Sequence, residues 1–140
     1  MNNLFLFNFL VTSFMFGLIV TTQIVNYPLF SIVKSNNFSN YHSFYVNKIS
    51  FIVIPVMLIE FLISILLISL YNSYLINFNF VLMVLIFLTT YLIQVPIHNA
   101  IKIKSNRLLF DKLIKTNWIR TIFWFLKIII SYNIILREMI

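Results

Sequence analysis

The sequence predicts an all-α fold, an antiparallel bundle of four transmembrane helices forming a single domain over residues 1–140. Three observations predict it. Hydrophobic residues make up 61% of the chain and charged residues only 9%, whereas a soluble domain carries roughly 25% charged residues. The apolar residues gather into four runs, each supplying the roughly 20 residues an α-helix needs to cross a ~30 Å hydrocarbon layer. The basic residues gather mainly between the runs rather than along them. Transmembrane strands would be about half as long and would alternate in polarity; these runs do neither.

Run one covers about residues 4–33 and contains the single glycine, Gly17. Its start, Met1-Asn2-Asn3, has no basic residue, the apolar stretch is longer than a signal peptide's, and no small-residue cleavage site follows, so the run is expected to stay in the protein. A basic connection over 34–48 holds Lys34 and Lys48, with Ser35-Asn36-Asn37 and Ser39-Asn40 offering turn and N-cap chemistry. Run two covers about 41–71, and a charge-free connection over 72–79 leads to run three, about 75–98. The third connection carries Lys102, Lys104, Arg107, Asp111, Lys112 and Lys115. Its stretch 101–114 mixes in enough apolar residues for a short helix lying in the interface plane. Run four covers about 117–136. Pro28, Pro55 and Pro96 fall within the runs and are expected to kink them.

Four crossings put both basic connections on one side. By the positive-inside rule that side is cytoplasmic, so both termini and the 72–79 connection face outward from a bacterial inner membrane. The net charge of +7 then reflects orientation and anionic headgroups, which makes the lipid bilayer, and not nucleic acid, the expected partner. The absence of cysteine excludes disulfides, thiolate metal sites and cysteine nucleophiles. A Gly-rich phosphate loop, zinc-protease spacing and a serine nucleophile elbow are also absent. Asp111 and Glu138 fall in exposed segments, so paired-carboxylate catalysis has no support.

Each run has one face more polar than the rest: Thr22, Gln23 and Asn26 beside Tyr27; His42, Tyr45, Glu60 and Ser64; Thr90, Gln94 and His98; Asn117, Arg120, Trp124, Lys127 and Ser131. Residues three or four apart share a helix face, and in a bundle such faces turn inward because lipid cannot hydrogen-bond them. Counted from the basic side at about 1.5 Å per residue, Glu60 and Lys127 reach comparable depths near the bilayer middle. They are expected to pair there, with Gln23 close in depth. The alternative is a protonated Glu60 and a Lys127 that snorkels toward headgroups.

A second constellation approaches the basic end from all four runs: Tyr27, His42, Tyr45, His98, Asn99, Asn117 and Arg120. Arg120 is the candidate anion-facing group, His42 and His98 are proton-active, and Asn99 and Asn117 position. Two histidines can ligate haem or a metal and an arginine can hold a carboxylate or phosphate. Histidine and tyrosine are also ordinary residues at membrane interfaces, and two histidines without carboxylates make a poor metal site, so no metal is expected.

The segments Val95-Pro96-Ile97-His98-Asn99 and Thr116-Asn117-Trp118-Ile119-Arg120-Thr121 resemble a pattern in a family of small four-helix bacterial membrane proteins that includes anthrone-oxygenase-like proteins. There a Pro and an Asn close the third helix, a basic loop follows, and Arg-Thr opens the fourth. The resemblance points to Pro96, Asn99, Arg120 and Thr121; His98 lies outside its pattern. It covers the architecture and two short segments, and carries no oxygenase activity over.

The residues favour a polytopic inner-membrane protein that binds a small or lipid-like ligand in a polar pocket near the cytoplasmic face. A membrane-embedded oxidoreductase using haem or a quinone is an alternative. So is a small transporter subunit, whose four helices would call for a homo-oligomer, or a membrane assembly factor that needs no pocket.

Overall fold

The computed structural model describes residues 2–138 and gives the backbone alone for Asn2, Ser35, Asn36 and Glu138. The side chain of Glu138, expected to be exposed, therefore lies outside the described residues, as does Met1. The chain forms four helical rods. Helix α1 covers residues 2–29 as Asn2–Thr21, a π-helical turn Thr22–Asn26, and Tyr27–Leu29. Helix α2 is Ser35–Leu70, α3 is Tyr74–Ile103 with a π-helical turn at Thr90–Gln94, and α4 is Arg107–Glu138. All four are long and apolar enough to cross a membrane. No strand occurs among the described residues.

Connections of a few residues (30–34, 71–73 and 104–106) force consecutive helices to run antiparallel. Helix α4 packs on α1 and α3, α2 packs on the same two, and α2 and α4 stand diagonally opposed. Polarity is distributed as lipid requires. Leu10, Phe14, Phe51, Leu62, Leu70, Trp118 and Phe125 are exposed, while Asn8, Gln23, Asn79, Asn117, Glu60 and Lys127 are buried. Exposed apolar side chains are densest from Phe51 to Leu70 on α2 and from Trp118 to Leu136 on α4. Each band is about 30 Å long, the thickness of a hydrocarbon core. Glu60 and Lys127 fall at the middle of their bands.

Three apolar layers fill the bundle. Phe5, Ile63, Leu67, Ile76 and Ile134 pack at the end holding the 71–73 turn. Met15, Ile19, Met57, Met83, Ile86 and Trp124 form the middle. Tyr27, Phe30, Phe38, Ile97, Ile101, Phe110 and Leu113 form the layer at the basic end.

The helices at the basic end are longer than the apolar runs. Helix α2 begins at Ser35, so Ser39, Asn40 and Lys48 are helical; Lys34 takes the N-cap position without a side-chain cap bond. The cause is an inward-facing aromatic stripe. Phe38, His42 and Tyr45 recur at helical spacing, and Phe30 meets all three rings at 5.9, 5.4 and 5.3 Å between centroids. Residues 101–114 do not form a separate interfacial helix. Ile101 is buried in the last turn of α3, which ends at Ile103, and α4 starts at Arg107 with Phe110 and Leu113 buried in line with Asn117 and Arg120. Asn106 caps it, accepting the Leu109 N–H at 2.9 Å. At the other end the turn is only 71–73, so Asn79 is helical and buried.

Two of the three prolines coincide with π turns. Pro28 and Pro96 each follow one, and Tyr27 N–H and Val95 N–H reach back five residues to the carbonyls of Thr22 and Thr90. A proline lacks the N–H for its i−4 carbonyl and clashes with it; widening the preceding turn removes the clash. A π turn also holds more residues than an α turn, which lines up Thr90, Gln94 and His98 at their four-and-four spacing. Pro55 sits in uninterrupted α-helix.

Candidate functional site

Two groups of polar side chains occupy the interior, one in each half of the bundle. In the half away from the basic connections, Lys127 Nζ lies 2.8 Å from Glu60 Oε1, with both side chains fully buried. Lys127 also donates to Asn79 Oδ1 at 2.9 Å and to Thr12 Oγ1 at 3.4 Å, and the Thr12 hydroxyl donates to Glu60 Oε1 at 2.5 Å. Asn79 and Asn8 both donate to Ser131 Oγ, at 2.8 and 3.1 Å. All four helices contribute. A lone charge at a helix centre costs about 2.5–3.5 kcal/mol on insertion scales. Opposing charges that also saturate the ammonium's donors offset that penalty.

Gln23 does not join this group. It stands eleven residues past Thr12 on α1, roughly 16 Å further along, and belongs to the basic half. There it accepts from Asn117 Nδ2 at 2.8 Å and donates to the Ile114 carbonyl at 3.1 Å. Asn8, Thr12 and Asn79 are absent from the expected set. The four-residue spacing of Asn8 and Thr12 is the signal for the first two; Asn79 falls in the charge-free stretch 72–79, which by composition reads as a connection.

The basic half brings together most of the second constellation. His42 Nε2 lies 3.1 Å from His98 Nδ1, and His98 Nε2 lies 3.1 Å from the Tyr27 hydroxyl. This is an unbroken hydrogen-bonded chain through α2, α3 and α1. On α4, Arg120 donates to Asn117 Oδ1 at 3.2 Å, and the Thr121 hydroxyl donates to the Asn117 carbonyl at 3.1 Å. The Arg120 guanidinium faces Tyr27, Tyr45 and His98. Arg120 is only 6% exposed, and no acidic side chain pairs with it among the described residues. Its Nε has no hydrogen-bond partner, and neither do the Tyr45 hydroxyl and Gln94 Oε1. Asn99 is the outlier of the expected set: it is exposed at the cavity rim and makes no side-chain bond to the others.

These groups border a cavity of about 450 Å³ between α1, α2 and α3, within the roughly 300–1,000 Å³ of small-ligand sites. Its walls are graded. Toward the middle of the bundle they are Met15, Ile19, Met57, Leu58 and Phe87; toward the basic end they become Tyr27, Tyr45, His98, Asn99 and Arg120. From Phe87 to Asn99 the cavity follows α3 for roughly 18 Å. Ile54, Leu58, Tyr91 and Val95 line it and are also exposed, so it opens sideways between α2 and α3. Both π turns contribute, through Thr22 on α1 and through Thr90, Tyr91 and Gln94 on α3. His42 and Asn117 stand behind this surface and hold His98 and Arg120 in place.

Comparison of the chain with family models, with curated proteins and with solved structures finds no match.

Proposed function

We propose that this protein sits in a bacterial inner membrane, basic end toward the cytoplasm, and binds one lipid-like amphiphile in the cavity between α1, α2 and α3. The polar head lies at Arg120 and the chain extends toward the middle of the membrane, as a lipid lies in its own leaflet. One observation carries this function: a buried arginine that has no acidic partner among the described residues closes the polar end of an otherwise apolar, laterally open cavity. An uncompensated buried cation is costly, and an anionic head with an acyl-type tail satisfies the cation and the walls together. The bias of Lys34, Lys48, Lys102, Lys104, Arg107, Lys112 and Lys115 to one end supports the orientation.

Haem or metal ligation is less well supported. Both ring nitrogens of His98 and Nε2 of His42 are already hydrogen-bonded, so ligation through them would first break that chain.

The test is mass spectrometry of protein purified from native membranes in mild detergent. Wild type is expected to carry one amphiphile per chain; Ser50 of α2 lines the cavity, and Ser50→Phe, which places a ring in that space, is expected to carry none. An equal complement of lipid on both proteins would refute the cavity as the binding site.

A further inference from the structure

The hydrogen-bonded chain Tyr27–His98–His42 begins on the cavity wall and leads away from it. Tyr27 and His98 line the cavity beside Arg120, whereas His42 lies behind them, seven residues into α2 and near Lys102 of α3. A cavity reached through a lipid-facing gap favours ligands that travel uncharged, because desolvation holds a carboxyl in its neutral form. At Arg120 the preference reverses, since an adjacent cation stabilises the carboxylate. A long-chain carboxylic acid therefore enters neutral and ionises where it binds, and its proton needs a way out.

We propose that the ligand is a long-chain carboxylic acid and that Tyr27–His98–His42 is the relay that removes its proton, a step that rests on the ligand-binding function above. The acid O–H breaks as a new O–H forms on Tyr27, and the proton Tyr27 held passes to His98 Nε2. The proton on His98 Nδ1 passes to His42 Nε2. His42 becomes an imidazolium and releases a proton toward the basic end. The balance is one acid to one carboxylate and one proton, with no change in oxidation state. The groups that face the relay are Arg120 and Tyr45 around Tyr27 and His98, and Lys102 beside His42. All are cationic or neutral, so none retains the proton as a counter-anion.

The experiment uses the full chain in nanodiscs, in weakly buffered solution with a pH-indicator dye. Palmitic acid and methyl palmitate are the probes, and binding is measured separately with radiolabelled palmitate. Wild type is expected to release one proton per palmitic acid bound and none with the ester. His42→Gln, behind the cavity wall, keeps hydrogen-bonding capacity toward His98 but cannot become an imidazolium and pass the proton on. It is expected to bind palmitate and to release the proton at least about tenfold more slowly. His42→Phe is the second variant, with the same expectation, and size-exclusion profiles check that both remain folded. Saturable binding without proton release overturns the carboxylic-acid assignment while leaving a ligand site in place. Release at an unchanged rate in a folded His42 variant overturns the relay. Failure of wild type to bind any palmitate saturably overturns the fatty-acid ligand, whereas native lipid still present in wild type and absent from Ser50→Phe keeps the site itself.

Discussion

The two polar groups inside this bundle are built from similar residues and differ in what surrounds them. Around Lys127 the polar atoms turn on one another: one ammonium meets a carboxylate, an amide oxygen and a hydroxyl, and none of these residues lines the cavity between α1, α2 and α3. Glu60 Oε2 and Asn8 Oδ1 are left over, and they too are sealed in by side chains. Around Arg120 the leftover atoms belong to residues that line the cavity, and among the described residues no acidic side chain pairs with the cation. A closed network holds helices together; an open one is short of a partner. The distinction lies in the accounting of donors and acceptors, since both groups contain a buried cation.

The comparison can be broken most forcefully at the closed network. Lys127→Ala leaves Glu60 buried without its counter-charge and is expected to destabilise the fold by about 3–5 kcal/mol, measured as a lowered unfolding midpoint in detergent. Glu60→Gln combined with Lys127→Met is expected to lose less than the sum of the single changes; additive losses would mean that the two side chains act independently. Arg120→Gln sharpens the contrast from the other side. It removes a charge-assisted contact worth about 1.5–3 kcal/mol to an anionic ligand, so palmitate binding weakens roughly 10–100-fold by titration. The midpoint without ligand stays level or rises, because an unpaired buried cation has been removed. The smallest effect is expected for Ser131→Ala, which frees the amides of Asn8 and Asn79. Interhelical bonds of this kind average about 0.6 kcal/mol, and thermal unfolding is the check.

Much of this contrast is legible in the chain itself. Four apolar runs determine four helices, and the periodicity of Asn117, Arg120, Trp124, Lys127 and Ser131 marks the buried face of α4 before any contact is known. Helix ends are less legible where hydropathy and burial diverge. Residues 35–48 and 107–116 look like polar connections by composition, yet Phe38, His42, Phe110 and Leu113 continue a helical stripe into the basic-end layer. Depth counting from those misplaced ends still puts Glu60 and Lys127 level, because both starts move in the same direction. It misplaces Gln23, which lies on α1, near the basic end of the bundle. The cavity is the least legible feature. It depends on where α2 and α3 part and on two π turns, and although Pro28 and Pro96 signal a disturbance, proline identity does not distinguish a widened turn from a kink: Pro55 produces no π turn.

The most direct test of the division between a closed, structural half and an open, ligand-binding half is thermal unfolding with and without palmitate, comparing wild type with Arg120→Gln. At about 100-fold over the dissociation constant, a ligand adds about 2.7 kcal/mol of stability, a rise on the order of 10 °C for a domain of this size. Wild type is predicted to show that rise, and Arg120→Gln is predicted to start from the same or a higher midpoint and gain little. If Arg120→Gln instead unfolds as early as Lys127→Ala without ligand, or gains as much from palmitate as wild type does, the basic half is structural too and the division fails.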